Sequence, residues 1–226
     1  MRTALTKAQR HGTTAFDASG DLAGLECKGG QDWSAPPSID DVGLDSVASL
    51  PEMTAVGATT LSTDEHGEHI SETAWFDVPL THGSAGGVSA LFDRPQWQRW
   101  VMPDRDSNRR LIPDVSAVGD FFTGAKMVFG GEVVLAGGTS MSAPIWAGMT
   151  AVMDQYLLAN GGRLIGNLNP VLYRLKRAGA LPAFRDVTVG GNAVAMAGPG
   201  YDLVTGLGTP DVDKLARNLL LAQGTS

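Results

Sequence analysis

The strongest constraint on the fold is a run of small residues that leads directly into a long apolar helix. Residues 137–144 read Gly-Gly-Thr-Ser-Met-Ser-Ala-Pro, and the helical spacing that follows predicts a helix from about residue 144 to 160. Its apolar face would consist of Ile145, Met149, Val152, Met153 and Tyr156. A serine at this point, Ser140, suits a helix cap, but it also lies close to main-chain N–H groups and to the helix dipole, as a nucleophile requires.

Apolar segments elsewhere in the chain predict the strands of a sheet. Residues 13–18, 53–61 and 114–118 are β-prone and typical of buried strands, and residues 62–113 alternate short strands with turns. Further helices are predicted at residues 2–11 and 169–175, and a last one, capped by Thr209-Pro210, through about residue 221. Buried strands mixed with helices predict an α/β fold with a largely parallel sheet, in one domain.

The composition argues against several classes of function. The formal net charge is −7, with acids and bases mixed along the chain, so we expect no binding to nucleic acid. No apolar run reaches the roughly 18 residues of a membrane helix, and no signal peptide is recognisable at residues 1–7. Cys27 is the sole cysteine, so it can form no internal disulfide and a structural role is expected.

The run around Ser140 resembles the Gly-Thr-Ser-x-Ser-x-Pro nucleophile motif of the subtilisin-like clan. In subtilisins, an Asp and then a His precede the Ser. His11 is followed by Gly-Thr as in subtilisins, but no aspartate precedes it. The other histidines come after residues 13–21, the segment expected to stabilise the oxyanion, whereas the catalytic histidine of subtilisins comes before it. These histidines are His66, His69 and His82. An ordinary subtilisin is therefore disfavoured.

The oxyanion segment, at about residues 13–21, separates two families of this clan. It ends in Ser19-Gly20-Asp21, where subtilisins carry Gly-Asn. This segment resembles the sedolisins, the serine-carboxyl peptidases, and similar landmarks continue from about residue 3 to 220. The resemblance implies a subtilisin-like parallel sheet with flanking helices and acid-favoured peptide hydrolysis, because a carboxyl donates only when protonated. Ser140 would be the nucleophile and Asp21 the oxyanion stabiliser; the alternative for Asp21 is a turn residue after a strand.

Two further segments, within residues 184–202, resemble the halves of the family's calcium site. Calcium takes about six to eight hard oxygen ligands, and glycines allow carbonyls to face the ion. The resemblance implies carboxylate ligands from Asp186 and Asp202 and carbonyl ligands from Val187, Gly198 and Gly200. The alternative is a glycine-rich turn with two solvated acids.

One part of the family's chemistry is missing from the sequence. In sedolisins a Glu activates the serine and an Asp four residues later orients it, both on one helical face. The six glutamates of this chain all lack an Asp at that spacing; they are Glu26, Glu52, Glu65, Glu68, Glu72 and Glu132. We therefore expect residues 1–226 to form a partial catalytic domain without its N-terminal strands, inactive alone, with the strand at 13–18 as an exposed edge.

The expected partners follow from the same resemblance. They are a peptide or protein substrate and the missing N-terminal half of the domain, and the full-length enzyme is expected to be extracellular. The alternative function is a non-catalytic calcium-binding remnant or interaction module.

Overall fold

The structure is a computed structural model that describes residues 1–26, 42–78, 82–102 and 108–224. Cys27 lies outside the described residues. The helices are α1 (Arg2–Arg10), α2 (Thr139–Ala159), α3 (Asn169–Ala178) and α4 (Val212–Gly224). The strands are β1 (Phe16–Ala18), β2 (Thr54–Thr63), β3 (His69–Ala74), β4 (Phe76–Asp77), β5 (His82–Gly83), β6 (Gly87–Asp93), β7 (Arg109–Ile112), β8 (Val115–Val118), β9 (Ala125–Phe129), β10 (Glu132–Ala136), β11 (Phe184–Arg185) and β12 (Thr209–Pro210).

The central sheet is built around β2. β1 and β8 both run parallel to β2, and β3 runs antiparallel to its second half. The predicted strands at 53–61 and 114–118 are confirmed, but the sheet is mixed rather than largely parallel. β2 and β3 are joined by a tight turn in which Asp64 Oδ1 accepts the N–H groups of His66 and Glu68, and strands joined so closely can only pair antiparallel.

β1 is shorter than predicted, and it lies at the edge of the sheet as expected. It spans three residues rather than residues 13–18, and all three are half-buried, so the prediction of a buried strand is wrong. β2 covers one edge of β1, and among the described residues no strand pairs with the other edge. The reason is geometric, since a strand with one neighbour leaves half of its backbone groups and part of its side chains uncovered.

Helix α2 packs across β1, β2 and β8 and forms the centre of the core. It begins five residues earlier than predicted, and its buried face consists of Trp146, Thr150, Met153 and Leu157. The predicted face is right in part: Met153 is buried and Ile145 and Met149 pack partly buried against the core, but Val152 is 60% exposed. The helix is apolar nearly all round, and in such a helix the periodicity does not single out one face. No helix in the described ranges has the length and hydropathy of a membrane span.

The last helix starts differently from the prediction. Thr209 and Pro210 form β12, which pairs antiparallel with β11, so they do not cap a helix. Asp211 caps α4 instead: its Oδ1 accepts the N–H of Lys214 at 3.1 Å, and its carbonyl accepts that of Leu215 at 2.9 Å. An aspartate at this position satisfies N–H groups that the helix itself leaves free.

A fully buried ion pair joins β7 to the residue before β8. Arg110 Nη1 donates to Asp114 Oδ1 at 2.8 Å, and both side chains are 0% exposed. Asp114 also accepts Tyr173 Oη–H at 2.9 Å and the main-chain N–H of Ala55 at 2.9 Å. Every contact of Asp114 is therefore internal, as expected of a structural residue.

Candidate active site

Two distant segments meet where the parallel strands end. β1 is followed directly by Ser-Gly-Asp, which ends at Asp21, and β8 is followed by Gly119. The carbonyl of Gly119 accepts the N–H of Gly138 at 2.6 Å, which fixes the start of α2 at this edge of the sheet. The carboxyl ends of parallel strands are where open α/β sheets usually carry their sites, and the structure places Asp21 and the predicted nucleophile segment together there.

The three hydroxyl side chains of the nucleophile segment have different environments. Thr139 and Ser142 are fully buried, and Ser142 Oγ donates to main-chain carbonyls at the end of β8, at 3.0 and 3.1 Å. Ser140 is exposed, and in the part of the chain that the structure describes its hydroxyl has no hydrogen-bond partner. The residue that caps α2 is Gly138, not Ser140. Ser140 is therefore the hydroxyl of this segment that a bound peptide could reach.

Asp21 is held against the first turn of α2. Both the N–H and the Oγ–H of Thr139 donate to Asp21 Oδ1, each at 2.7 Å, and Gly20 N–H donates to Thr139 Oγ1 at 3.1 Å. Oδ2 receives no hydrogen bond from the described residues. Since Oδ1 already accepts twice, a proton on this carboxyl would sit on Oδ2. Asp21 bonds across 118 residues rather than within its own turn.

Two glycines make this approach possible. Gly138 has φ +81°, and a Cβ there would lie 2.6 Å from Asp21 Oδ2. Gly20 has φ +119°, and a Cβ there would lie 2.1 Å from Glu26 Oε1. Both positions combine a left-handed backbone with no room for a side chain, so the glycines of Ser-Gly-Asp and of the nucleophile segment are required by geometry.

Glu26 is a residue of this site that the sequence did not reveal. Its Oε1 accepts the N–H of Leu22 at 2.8 Å, and its Oε2 is buried with no partner among the described residues. Burial, with a smaller contribution from the charge of Asp21, raises the pKa of Glu26 to about 7. No motif marks this glutamate; its position five residues after Asp21, at the end of a tight turn, was the only available signal.

No described residue forms a hydrogen bond with the Ser140 hydroxyl, so none is in place as its general base. His11 is the C-cap of α1 and exposed, consistent with a helix end rather than a catalytic histidine. His69 Nε2 lies 4.0 Å from Glu72 Oε2, and Glu72 is itself occupied by the hydroxyls of Thr59 and Thr209. The hydroxyl of Ser140 is therefore positioned but not activated by the described residues.

The two aspartates of the predicted calcium loop converge on one turn. Gly200 N–H donates to Asp186 Oδ2 at 2.7 Å, and Gly198 N–H donates to Asp202 Oδ2 at 3.2 Å. Asp202 is 5% exposed, and burial raises its pKa although several N–H groups donate to it. The predicted residues are thus brought together, with Val187 buried at the start of the same loop.

This arrangement fits a calcium ion in its chemistry. Two carboxylates and main-chain carbonyls on one loop are the hard oxygen ligands that calcium prefers. Within the described residues no group of three or more His, Cys, Asp and Glu side chains could hold a metal, so carbonyls would have to complete the ligand set. One further group enters the site: Lys176 Nζ lies 3.1 Å from Asp186 Oδ1.

Three known proteins are similar to nearly the whole chain. Kumamolisin from Bacillus sp. (strain MN-32) is 35% identical over 231 residues, covering 97% of this chain and 39% of kumamolisin. Sedolisin from Pseudomonas sp. (strain 101) is 31% identical, covering 92% and 35%. Tripeptidyl-peptidase 1 from Homo sapiens is 30% identical, covering 97% and 39%. The chain thus spans about two fifths of the length of these relatives.

Solved structures agree. Pseudomonas sedolisin complexed with two molecules of pseudo-iodotyrostatin superimposes with a TM-score of 0.82 at 31% identity, covering 95% of this chain and 58% of that one. Sphericase, at 17% identity and a TM-score of 0.52, shares the fold. No protein-family model matches the chain.

The fold and its match to the Pseudomonas sedolisin structure define a chain with a subtilisin-like fold. Within that fold class the chain belongs to the sedolisin family of serine-carboxyl peptidases. It covers only part of the length of its relatives in that family. The resemblance found in the sequence is thereby confirmed.

Proposed function

We propose that this chain is the nucleophile-bearing part of an acid-favoured serine-carboxyl endopeptidase. The observation that carries the proposal is the contact between Asp21 and the first turn of α2, which joins an exposed serine to a carboxyl at the positive end of a 21-residue helix. This pairing is the arrangement needed to attack a peptide carbonyl and to stabilise the oxyanion that forms.

Each group has a definite part in the reaction. Ser140 Oγ bonds to the carbonyl carbon of the scissile peptide and loses its proton to a general base. The carbonyl oxygen becomes negative and accepts a hydrogen bond from the proton on Asp21 Oδ2, helped by the helix dipole of α2. The tetrahedral intermediate then releases the amine, which takes a proton, and leaves an acyl-serine for water to hydrolyse.

The base and its orienting acid would come from the rest of the catalytic domain. Two surfaces of this chain are suited to contact it: the uncovered edge of β1, and a face of α2 on which Val152 and Tyr156, one turn apart, are 60% and 36% exposed. An open strand edge beside exposed apolar side chains favours pairing with further strands and helices. The relatives contain more than this chain covers, and we propose that the N-terminal half of the domain is the partner, acting on extracellular peptides or proteins.

The isolated chain is expected to show negligible peptidase activity at any pH, because a serine hydroxyl without a base is a weak nucleophile. Hydrolysis of a fluorogenic peptide library between acid and neutral pH checks this, with Ser140→Ala measured in parallel. Turnover by the purified chain that disappears in Ser140→Ala would show that the chain supplies its own base and would overturn this part of the proposal.

We further infer that the loop from Asp186 to Asp202 binds calcium. Its support is the convergence of both carboxylates on the Gly198–Gly200 turn and the burial of Asp202, whose negative charge a cation would offset. A bound ion would tie the strand end after β11 to this turn. The loop is distant from Ser140 in the sequence, so the role proposed for the bound ion is to stabilise the fold.

A further inference from the structure

The cation loop already contains a positive charge. Lys176, in the last turn of α3, places Nζ 3.1 Å from Asp186 Oδ1 and 3.0 Å from the carbonyl oxygen of Leu207. The ammonium also lies 5.8 Å from the centre of the Phe184 ring. Lys176 makes three contacts and its side chain is only 19% exposed, so its ammonium has a fixed position in the loop.

One contact of Lys176 is with an oxygen that a calcium ion at this loop would need. A cation bound by Asp186 and Asp202 needs a carboxylate oxygen of Asp186, and Oδ2 already accepts Gly200 N–H. The other oxygen, Oδ1, faces the ammonium. A bound divalent ion would therefore lie within a few ångströms of a like charge, or the lysine would have to leave.

We propose that Lys176 competes with the calcium ion. Its ammonium neutralises Asp186 in the cation-free chain, and when calcium binds it either repels the ion or has to leave the site. This inference rests on the proposed calcium site. Its consequence is that Asp186 has a counter-charge both with and without calcium, so that calcium binds weakly and reversibly.

Removing the charge of Lys176 is expected to tighten calcium binding by about tenfold or more, since a unit charge repels a divalent ion at about 5 Å appreciably even in water. The same change is expected to lower the melting temperature in chelator, because Asp186 loses its counter-charge, and to enlarge the gain on adding calcium. The variant is Lys176→Gln, which keeps a hydrogen-bond donor beside Asp186. Lys176→Arg keeps the charge and should bind calcium as weakly as the original chain.

The measurement is calorimetric titration of the purified chain with calcium chloride at neutral pH, with melting curves in calcium and in chelator. Lys214→Gln is the matched control, because Lys214 pairs with Asp211 at 2.7 Å on another helix, and its calcium affinity should not change. Asp202→Ala should abolish binding at the loop.

The outcomes separate the two proposals. Binding that is lost in Asp202→Ala but equally tight with and without the charge of Lys176 would overturn the competition and leave the calcium site standing. Calcium binding unaffected by Asp202→Ala, or no binding by the folded chain and by folded Lys176→Gln, would overturn the site and the competition together.

Discussion

Asp114→Ala is expected to destabilise the chain by about 3–5 kcal/mol, because it leaves the fully buried guanidinium of Arg110 without its counter-charge. The substitution also removes the acceptor for the Tyr173 hydroxyl and for the Ala55 N–H. Domains of this size are stable by about 5–15 kcal/mol, so the variant should be close to unfolding. The free energy of unfolding from urea denaturation measures the effect.

The matched control is Asp213→Ala, which breaks an ion pair with Arg217 whose side chains are 67% and 58% exposed. Exposed pairs contribute at most about 1 kcal/mol, so this variant should be nearly as stable as the original chain. Equal stabilities of the two variants would contradict the structural role assigned to Asp114.

The second large effect concerns the nucleophile. We consider kumamolisin in which the segment aligned with this chain is replaced by this chain, so that the rest of the catalytic domain is present. In that enzyme, Ser140→Ala is expected to lower kcat by about 10⁶-fold, the loss typical of removing a catalytic serine. Steady-state hydrolysis of a peptide substrate measures it.

Ser142→Ala is the control for that loss, since it removes a hydroxyl from the same helical turn. Ser142 is buried and bonded to carbonyls at the end of β8, so its loss should lower stability by about 1 kcal/mol and activity by less than tenfold. Ser140 is exposed, so Ser140→Ala should leave the melting temperature unchanged. The reverse pattern would assign the nucleophile to Ser142.

Much of the fold and of the candidate site could be predicted from motifs and strand patterns in the sequence. The strands β2 and β8 and most of helix α2 follow from short segments with strong local signals, whereas the role of Asp21 beside Ser140 was implied by the resemblance to the sedolisins. The buried face of α2 could be predicted only in part, because Val152 and Met153 are equally apolar and only the position of the sheet distinguishes them.

Other features depend on contacts between distant residues. Thr209 and Pro210 look like a helix cap, but they pair with Arg185 and Phe184 of β11, distant in the sequence, and form a strand. Lys176 is an ordinary helix-end lysine in the sequence; the carbonyl and carboxylate that hold it come from two later loops. Glu26 reaches Gly20 only because the backbone turns sharply between them.

The most direct test of the central claim is the pH dependence of the segment-replaced enzyme with Asp21 and with Asp21→Asn. If the carboxyl of Asp21 donates to the oxyanion, it must be protonated, so activity should be present at acid pH and lost as the pH rises. Asn keeps a donor that does not titrate, so kcat/KM of the variant should fall less steeply towards neutral pH. An unsubstituted enzyme that is fastest at neutral or alkaline pH, or two identical profiles, would contradict the assignment of Asp21.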